Sequence, residues 1–118
     1  MERLTTEQAD SPLAPAAFLI LFALATGDKH GYAIMQEARK LSDGAFQLGP
    51  ATLYTTIQRL LDSDHIREVP GPKDGDSRRK YYRLTGVGKT ALNAELARMD
   101  AMVRKSKALR LRLAESSS

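Results

Sequence analysis

"GPATLYTTIQRLLDSDHI", residues 49–66, has two sides of different chemistry when it is wound as a helix. Leu53, Ile57, Leu60 and Leu61 follow the i, i+4, i+7, i+8 rule of a buried stripe. Pro50, after Gly49, suits a first-turn position, where the N–H it lacks has no helical partner. At 100° per residue, Ala51, Thr52, Thr55, Gln58 and Arg59 fall opposite the stripe and Tyr54 on its flank, with no carboxylate before Asp62. A face pressed toward phosphates lacks carboxylates, offers hydroxyl and amide groups, and places its reach near the helix N-terminus, where the dipole favours anions. A solvated face rich in threonine would look the same within this segment, so the flanking sequence has to decide.

Upstream, Ser11 and Pro12 form a cap and first-turn pair that opens a helix through "LAPAAFLILFALATG", with Gly27 to close it. This helix is apolar almost all round, so both sides need a cover, and a second subunit is expected to supply it. A second helix lies in "DKHGYAIMQEARKLSDG", with Ile34, Ala38 and Leu41 on one side, Gly44 past its end, and His30 capping or packing at its start. Residues 1–10 lack an apolar period and are expected to form a disordered arm.

Downstream the period changes. "HIREV" and "RKYYRL" alternate like strands around "PGPKDGDSR", whose prolines and glycines make a turn. Lys73, Arg78, Arg79 and Lys80 sit on or beside the tip of this hairpin, while Asp74 and Asp76 are assigned to the turn itself. Tyr81 and Tyr82 point to opposite faces, one of them into the core. After Thr85 helical spacing returns, and Leu92, Leu96, Met99 and Val103 keep a three-and-four alternation suited to a partner helix. Three helices and a two-stranded hairpin are the order of a winged helix-turn-helix, whose third helix enters the DNA major groove. The expected fold is therefore mostly α with a small β-hairpin. A winged-helix domain would span 11–84, a C-terminal dimerisation helix 85–112 and a disordered tail 113–118.

Bulk composition agrees. The 118 residues make one small domain whose limited core favours association. The absence of cysteine excludes disulfides and thiolate metal sites and fits a reducing compartment. The longest apolar stretch, 13–25, is too short to span a membrane, so a cytoplasmic protein without membrane contact is expected. Residues 1–72 carry 6 Lys/Arg against 9 Asp/Glu, net −3, whereas residues 73–112 carry 12 against 4, net +8. The second half is where a polyanion would be met, although a solvated basic helix has the same composition.

"HGYAIMQEARKL", "LGPATLYTTIQRLLDSDHI" and "RRKYYRLTGVGK", in this order and spacing, resemble the PadR-like transcriptional regulators over about residues 13–105. The single C-terminal helix is similar to the shorter branch of that family. The resemblance implies a homodimeric winged-helix repressor, joined through its first and last helices, that leaves a pseudo-palindromic DNA operator when a small aromatic or drug-like effector binds. Thr52, Tyr54 and Thr55 match the family's DNA-facing segment, Arg78, Arg79 and Lys80 its wing, and Leu92, Leu96, Met99 and Val103 its dimer helix. Leu13, Phe18, Leu21 and Phe22 would join the interface from the first helix. The chain has no tryptophan, so it lacks the residues between which some relatives stack flat ligands. Phe18, Phe22, Met99 and Met102 are the candidates for an effector cavity at the dimer interface, or plain core.

Other chemistries lack their residues. "RLTGVGKT" imitates a phosphate-binding loop, but position 83 is Arg where that motif needs glycine. Gly86 and Gly88 are expected instead to ease the passage from the wing into the last helix, with Thr85 as its cap. His30 and His65 are the only histidines, on separate elements, so neither a zinc site nor a hydrolytic triad is supported. No enzyme activity, metal or cofactor is expected. The competing function is a winged-helix protein-interaction module without sequence-specific DNA binding.

Overall fold

A computed structural model describes residues 12–75 and 78–116. The arm at 1–10, the Ser11 cap, Asp76 and the last two serines lie outside the described residues. The elements are α1 (Pro15–Leu24), β1 (Lys29–His30), α2 (Gly31–Leu41), α3 (Pro50–Asp62), β2 (Ile66–Val69), β3 (Tyr81–Leu84) and α4 (Gly86–Ser116). The fold is mostly helical, a winged helix-turn-helix continued by one long helix.

The all-apolar helix α1 is the centre of the core, packed on α2, α3, α4 and β3. Ile20, Leu21 and Ala23 have no exposed surface, and burying a side chain such as Leu21 is worth about 1.5–3 kcal/mol. Most of the cover that the sequence assigned to a second subunit therefore comes from the chain itself. The helix starts at Pro15, three residues later than Pro12, and Ala14 at its N-cap makes no side-chain bond. The segment before it is held elsewhere: the Leu13 N–H donates to Glu95 Oε1 on α4 at 2.9 Å. At the other end, Gly27 takes φ +142° and the Lys29 ammonium donates to the Ala23 carbonyl at 2.6 Å, where the helix dipole favours a cation.

Helix α3 matches its sequence pattern. Leu53, Ile57 and Leu60 are buried and Leu61 is packed against the same core. In α2, Ile34 and Ala38 are buried, but Leu41 at the final position is exposed. His30 does cap α2, its Nδ1 accepting from the Ala33 N–H at 3.2 Å.

The hairpin is present as β2 and β3, with Ile66 opposite Leu84 and Val69 opposite Tyr81. The sheet has a third strand, in the order β1-β3-β2, because Lys29 and His30 pair with Tyr82 and Tyr81. Two residues are too few to show alternation, so sequence pattern cannot reveal such a strand. Asp28 and Arg83 fasten this added strand by a two-point ion pair at 2.7 and 3.0 Å. Tyr82 is the buried member of the tyrosine pair and Tyr81 is half-buried over Gly71.

The turn into α4 depends on Gly88. A Cβ there would collide with the His65 carbonyl oxygen, whereas Gly86 faces open space. Thr85 caps the helix, its hydroxyl accepting from the Gly88 N–H at 3.1 Å and donating to the Asp64 carbonyl at 2.6 Å. The helix then runs through 113–116, past the boundary at 112 where a disordered tail was expected.

Candidate nucleic-acid interface

The outer face of α3 carries Ala51, Thr52, Tyr54, Thr55, Gln58 and Arg59, all exposed. A shallow depression of about 240 Å³ runs along Ala51, Thr52, Thr55, Thr56 and Arg59. Its hydroxyls are not equivalent. Thr56 donates back to the Thr52 carbonyl at 2.7 Å, a bond internal to the helix, whereas Thr52 and Thr55 face outward. Gln58 donates to Asp62 at 2.9 Å, so the single carboxylate of the helix holds its single side-chain amide.

The wing meets this helix at a cleft of about 340 Å³, lined by His30, Gly31, Tyr32, Tyr54, Arg78, Arg79, Lys80 and Tyr82. Three distant segments of sequence build it. The β1–β3 pairing lays the start of α2 beside the wing, where the rings of His30 and Tyr81 meet edge to face at 5.3 Å. Tyr54 leans from α3 over Gly31, its hydroxyl 2.7 Å from where a Cβ would stand, so a larger residue there would displace the tyrosine ring. Arg79 Nη1 reaches His30 Nε2 at 2.8 Å.

Among the described residues the lining contains three cations and no carboxylate. Burial first, and then Arg79, holds His30 below the ordinary histidine pKa of 6.5. Burial raises the pKa of the Tyr82 hydroxyl, with lesser contributions from Glu68 and Tyr54. Of the sequence-derived positions, the structure brings Tyr54, Arg78, Arg79 and Lys80 together; Lys73 is exposed on the loop and does not line the cleft. His30, Gly31 and Tyr32 belong to this surface and were missed as site residues, since only the two-residue strand connects them to the wing.

The residues expected at a subunit interface divide into three groups. Leu21 and Leu92, at 0% and 5% exposed, are spent in the chain's own core and offer nothing to a partner. Leu13, Phe18 and Phe22 are partly buried against that core, the two phenylalanines edge to face at 5.6 Å. Leu96, Met99 and Val103 are exposed on α4, and Met102, an effector candidate with Phe18, Phe22 and Met99, is 67% exposed. Among the described residues no cluster of potential ligands could hold a metal ion, and no helix is long and apolar enough to cross a membrane. His65 sits at the α3–β2 turn, with Nδ1 2.6 Å from the Ser63 hydroxyl.

Residues 20–94 match the model of the transcriptional regulator PadR-like family. The chain belongs to that family. Among curated proteins, this PadR-like chain is 37% identical over 75 residues to an uncharacterized protein, protein X, of Lysinibacillus sphaericus, covering 64% of this chain and 69% of that one. It is 34% identical over 91 residues to a 37.1 kDa protein in a Streptomyces fradiae transposon, spanning 75% of this chain and a quarter of that protein. A PadR family transcription regulator from Clostridium difficile superposes with a TM-score of 0.64 at 26% identity, over 83% of this chain and 99% of that one. The Bacillus subtilis PadR, solved in complex with operator DNA, superposes with a TM-score of 0.59 at 24% identity, over 68% of this chain and 45% of that one. The family and these structural neighbours are transcription regulators, not enzymes.

Proposed function

We propose that this PadR-like regulator binds a pseudo-palindromic DNA operator as a homodimer and represses transcription there. The observation that carries the reading is the joining of the carboxylate-poor face of α3 to Arg78, Arg79 and Lys80 of the wing through Tyr54, in one cleft whose described lining holds no carboxylate. Thr52, Thr55, Gln58 and Arg59 would meet base edges and phosphates of the major groove while the wing cations lie on the backbone. Two such helices related by a dyad read half-sites one turn apart, on the order of 34 Å. The bare apolar side of α4, with Met99 and Val103 exposed, supports pairing of two copies through their last helices. Release by a small aromatic effector would act where α1, which carries Phe18 and Phe22, packs on α4, through a difference in affinity between the two states of the dimer.

Selection of bound duplexes from a random pool, repeated at two salt concentrations, tests this. An inverted repeat with half-sites one turn apart is expected. Six wing cations per dimer engaging phosphates would weaken binding about a thousandfold between 50 and 200 mM salt. Arg79→Ala should lower affinity for all sequences alike, and Thr55→Ala should change the selected motif. Salt-sensitive retention without a motif, or no retention at low salt, would overturn the sequence-specific reading.

A further inference from the structure

His30 is asked to accept two hydrogen bonds with one lone pair. Its Nδ1 lies 3.2 Å from the Ala33 N–H, and its Nε2 lies 2.8 Å from Arg79 Nη1. Both neighbours are donors. A neutral imidazole has a single unprotonated nitrogen. When Nδ1 caps α2, the proton sits on Nε2 and faces the guanidinium donor to donor. When Nε2 accepts from Arg79, the cap of α2 is lost. An oxygen acceptor seated between Nε2–H and the guanidinium removes the conflict, because it takes a bond from each while Nδ1 keeps the cap.

The surroundings select the charge of that acceptor. Arg78, Arg79 and Lys80 face the cleft from the wing, Tyr54 from α3, Tyr82 from β3 and Tyr32 from α2, and the Tyr81 ring stands against the imidazole. None of these groups is a carboxylate. Asp28, near in sequence, is turned away into its pair with Arg83, and Lys29 caps α1. Among the described residues the cleft lining holds no carboxylate, and Glu68 acts on Tyr82 from outside that lining, so a phosphate in the cleft would set an anion beside a protonated His30.

The geometry points to His30 as a positioning residue that seats a backbone phosphate between Nε2 and Arg79 and couples DNA binding to pH: the neutral ring holds the phosphate with its cap intact, and at lower pH a proton on Nδ1 trades the cap for attraction to the phosphate. The inference rests on the DNA-binding reading above. Protonation costs the ring its one accepted hydrogen bond both with and without the phosphate, so that cost largely cancels between the two states. What remains is the attraction between imidazolium and phosphate, which exists only in the complex, together with partial neutralisation of Arg79. The histidine then titrates higher in the complex than in the free protein, and affinity rises as pH falls through the complex's value toward the free one. In the free protein that value lies below 6.5, held down by burial and by Arg79.

The test compares wild type with His30→Asn, whose side-chain oxygen can still accept from the α2 first turn but does not titrate. Affinity for one duplex is measured at constant ionic strength between pH 8 and pH 5.5. Wild type should bind roughly three- to tenfold more tightly at the acid end, with His30→Asn nearly flat. Equal acid strengthening in both proteins, or none in either, would overturn the coupling while leaving DNA binding in place; failure to bind any duplex at any pH would refute the DNA-binding reading and the coupling with it. NMR titration of the His30 imidazole in unmodified protein gives a second readout. Its midpoint should rise when duplex is added, and an unmoved midpoint in a protein that binds the duplex would refute the inference.

Discussion

The two halves of α4 are made of similar residues and have opposite surroundings. From Gly86 to Glu95 the helix buries Gly88, Ala91, Leu92 and Glu95 against α1 and β3. Beyond it, Leu96, Met99, Met102, Val103, Leu109, Leu111 and Leu113 are exposed. Met99, Met102, Val103, Leu109 and Leu113 fall on the side that continues the buried stripe, whereas Leu111 falls on the other. A single chain finishes its core at Glu95 and leaves the remainder of that side bare. The first half answers to this chain's stability and the second to whatever covers it.

The strongest way to break that division is at the close approach that seats the first half. In Gly88→Val the added carbons run into the His65 carbonyl and the Leu84 side chain. The backbone carbonyl cannot yield without moving the turn into β2, so the loss should exceed about 4 kcal/mol or prevent folding. Gly86→Ala, two residues earlier, meets nothing within 4 Å and should be neutral or gain about 0.4–1 kcal/mol. Urea denaturation of the two variants checks the pair. Similar stabilities would mean that α4 is not seated on the His65 turn as described.

A second contrast runs along the helix itself. Leu92→Ala should cost about 2–5 kcal/mol, because it empties a site 5% exposed. Val103→Glu, at a position 54% exposed, should leave the stability of the isolated chain within about 0.5 kcal/mol of the original. In a dimer joined through this helix it would shift sedimentation to the monomer and remove the dependence of unfolding on protein concentration. If Val103→Glu sedimented as the wild type does, the bare side of α4 would not be the subunit contact.

The same contrast explains what could be read from the sequence. Helix α3 was legible because Leu53, Ile57, Leu60 and the opposing Thr52, Thr55 and Arg59 lie in one segment, where helical spacing alone sorts them. On α1 and α4 the spacing found the apolar side but could not say who covers it. Leu92 and Leu96 have the same side chain and the same period, yet only Leu92 is packed inside this chain. The cleft was invisible for a different reason. His30 and Arg79 are 49 residues apart and meet through a strand of two residues, which has no periodic signature. Gly31 likewise looks like a helix-start glycine until Tyr54 is seen lying where its side chain would be.

The smallest expected effect sits on the boundary between the two halves. Glu95 is the last buried residue of α4, and its Oε1 accepts from the Leu13 N–H at 2.9 Å and from Arg98 Nη2 at 2.7 Å. Arg98, and after it the Leu13 N–H, hold its carboxyl below the ordinary glutamate value of 4.5. Glu95→Gln keeps the shape and an acceptor oxygen but loses the charge, so it should cost about 1–2 kcal/mol near neutral pH. A carboxylate with a lowered native pKa contributes stability that is complete above its unfolded value and disappears as pH falls through the native one. The difference between wild type and Glu95→Gln should therefore be constant above about pH 5 and shrink as acid is added below 4.5. Denaturation curves across that window measure it. A difference that persists undiminished at pH 2.5 would mean that Glu95 acts by packing, and that the Leu13 segment is held to α4 by shape and not by the charge at the point where the core ends.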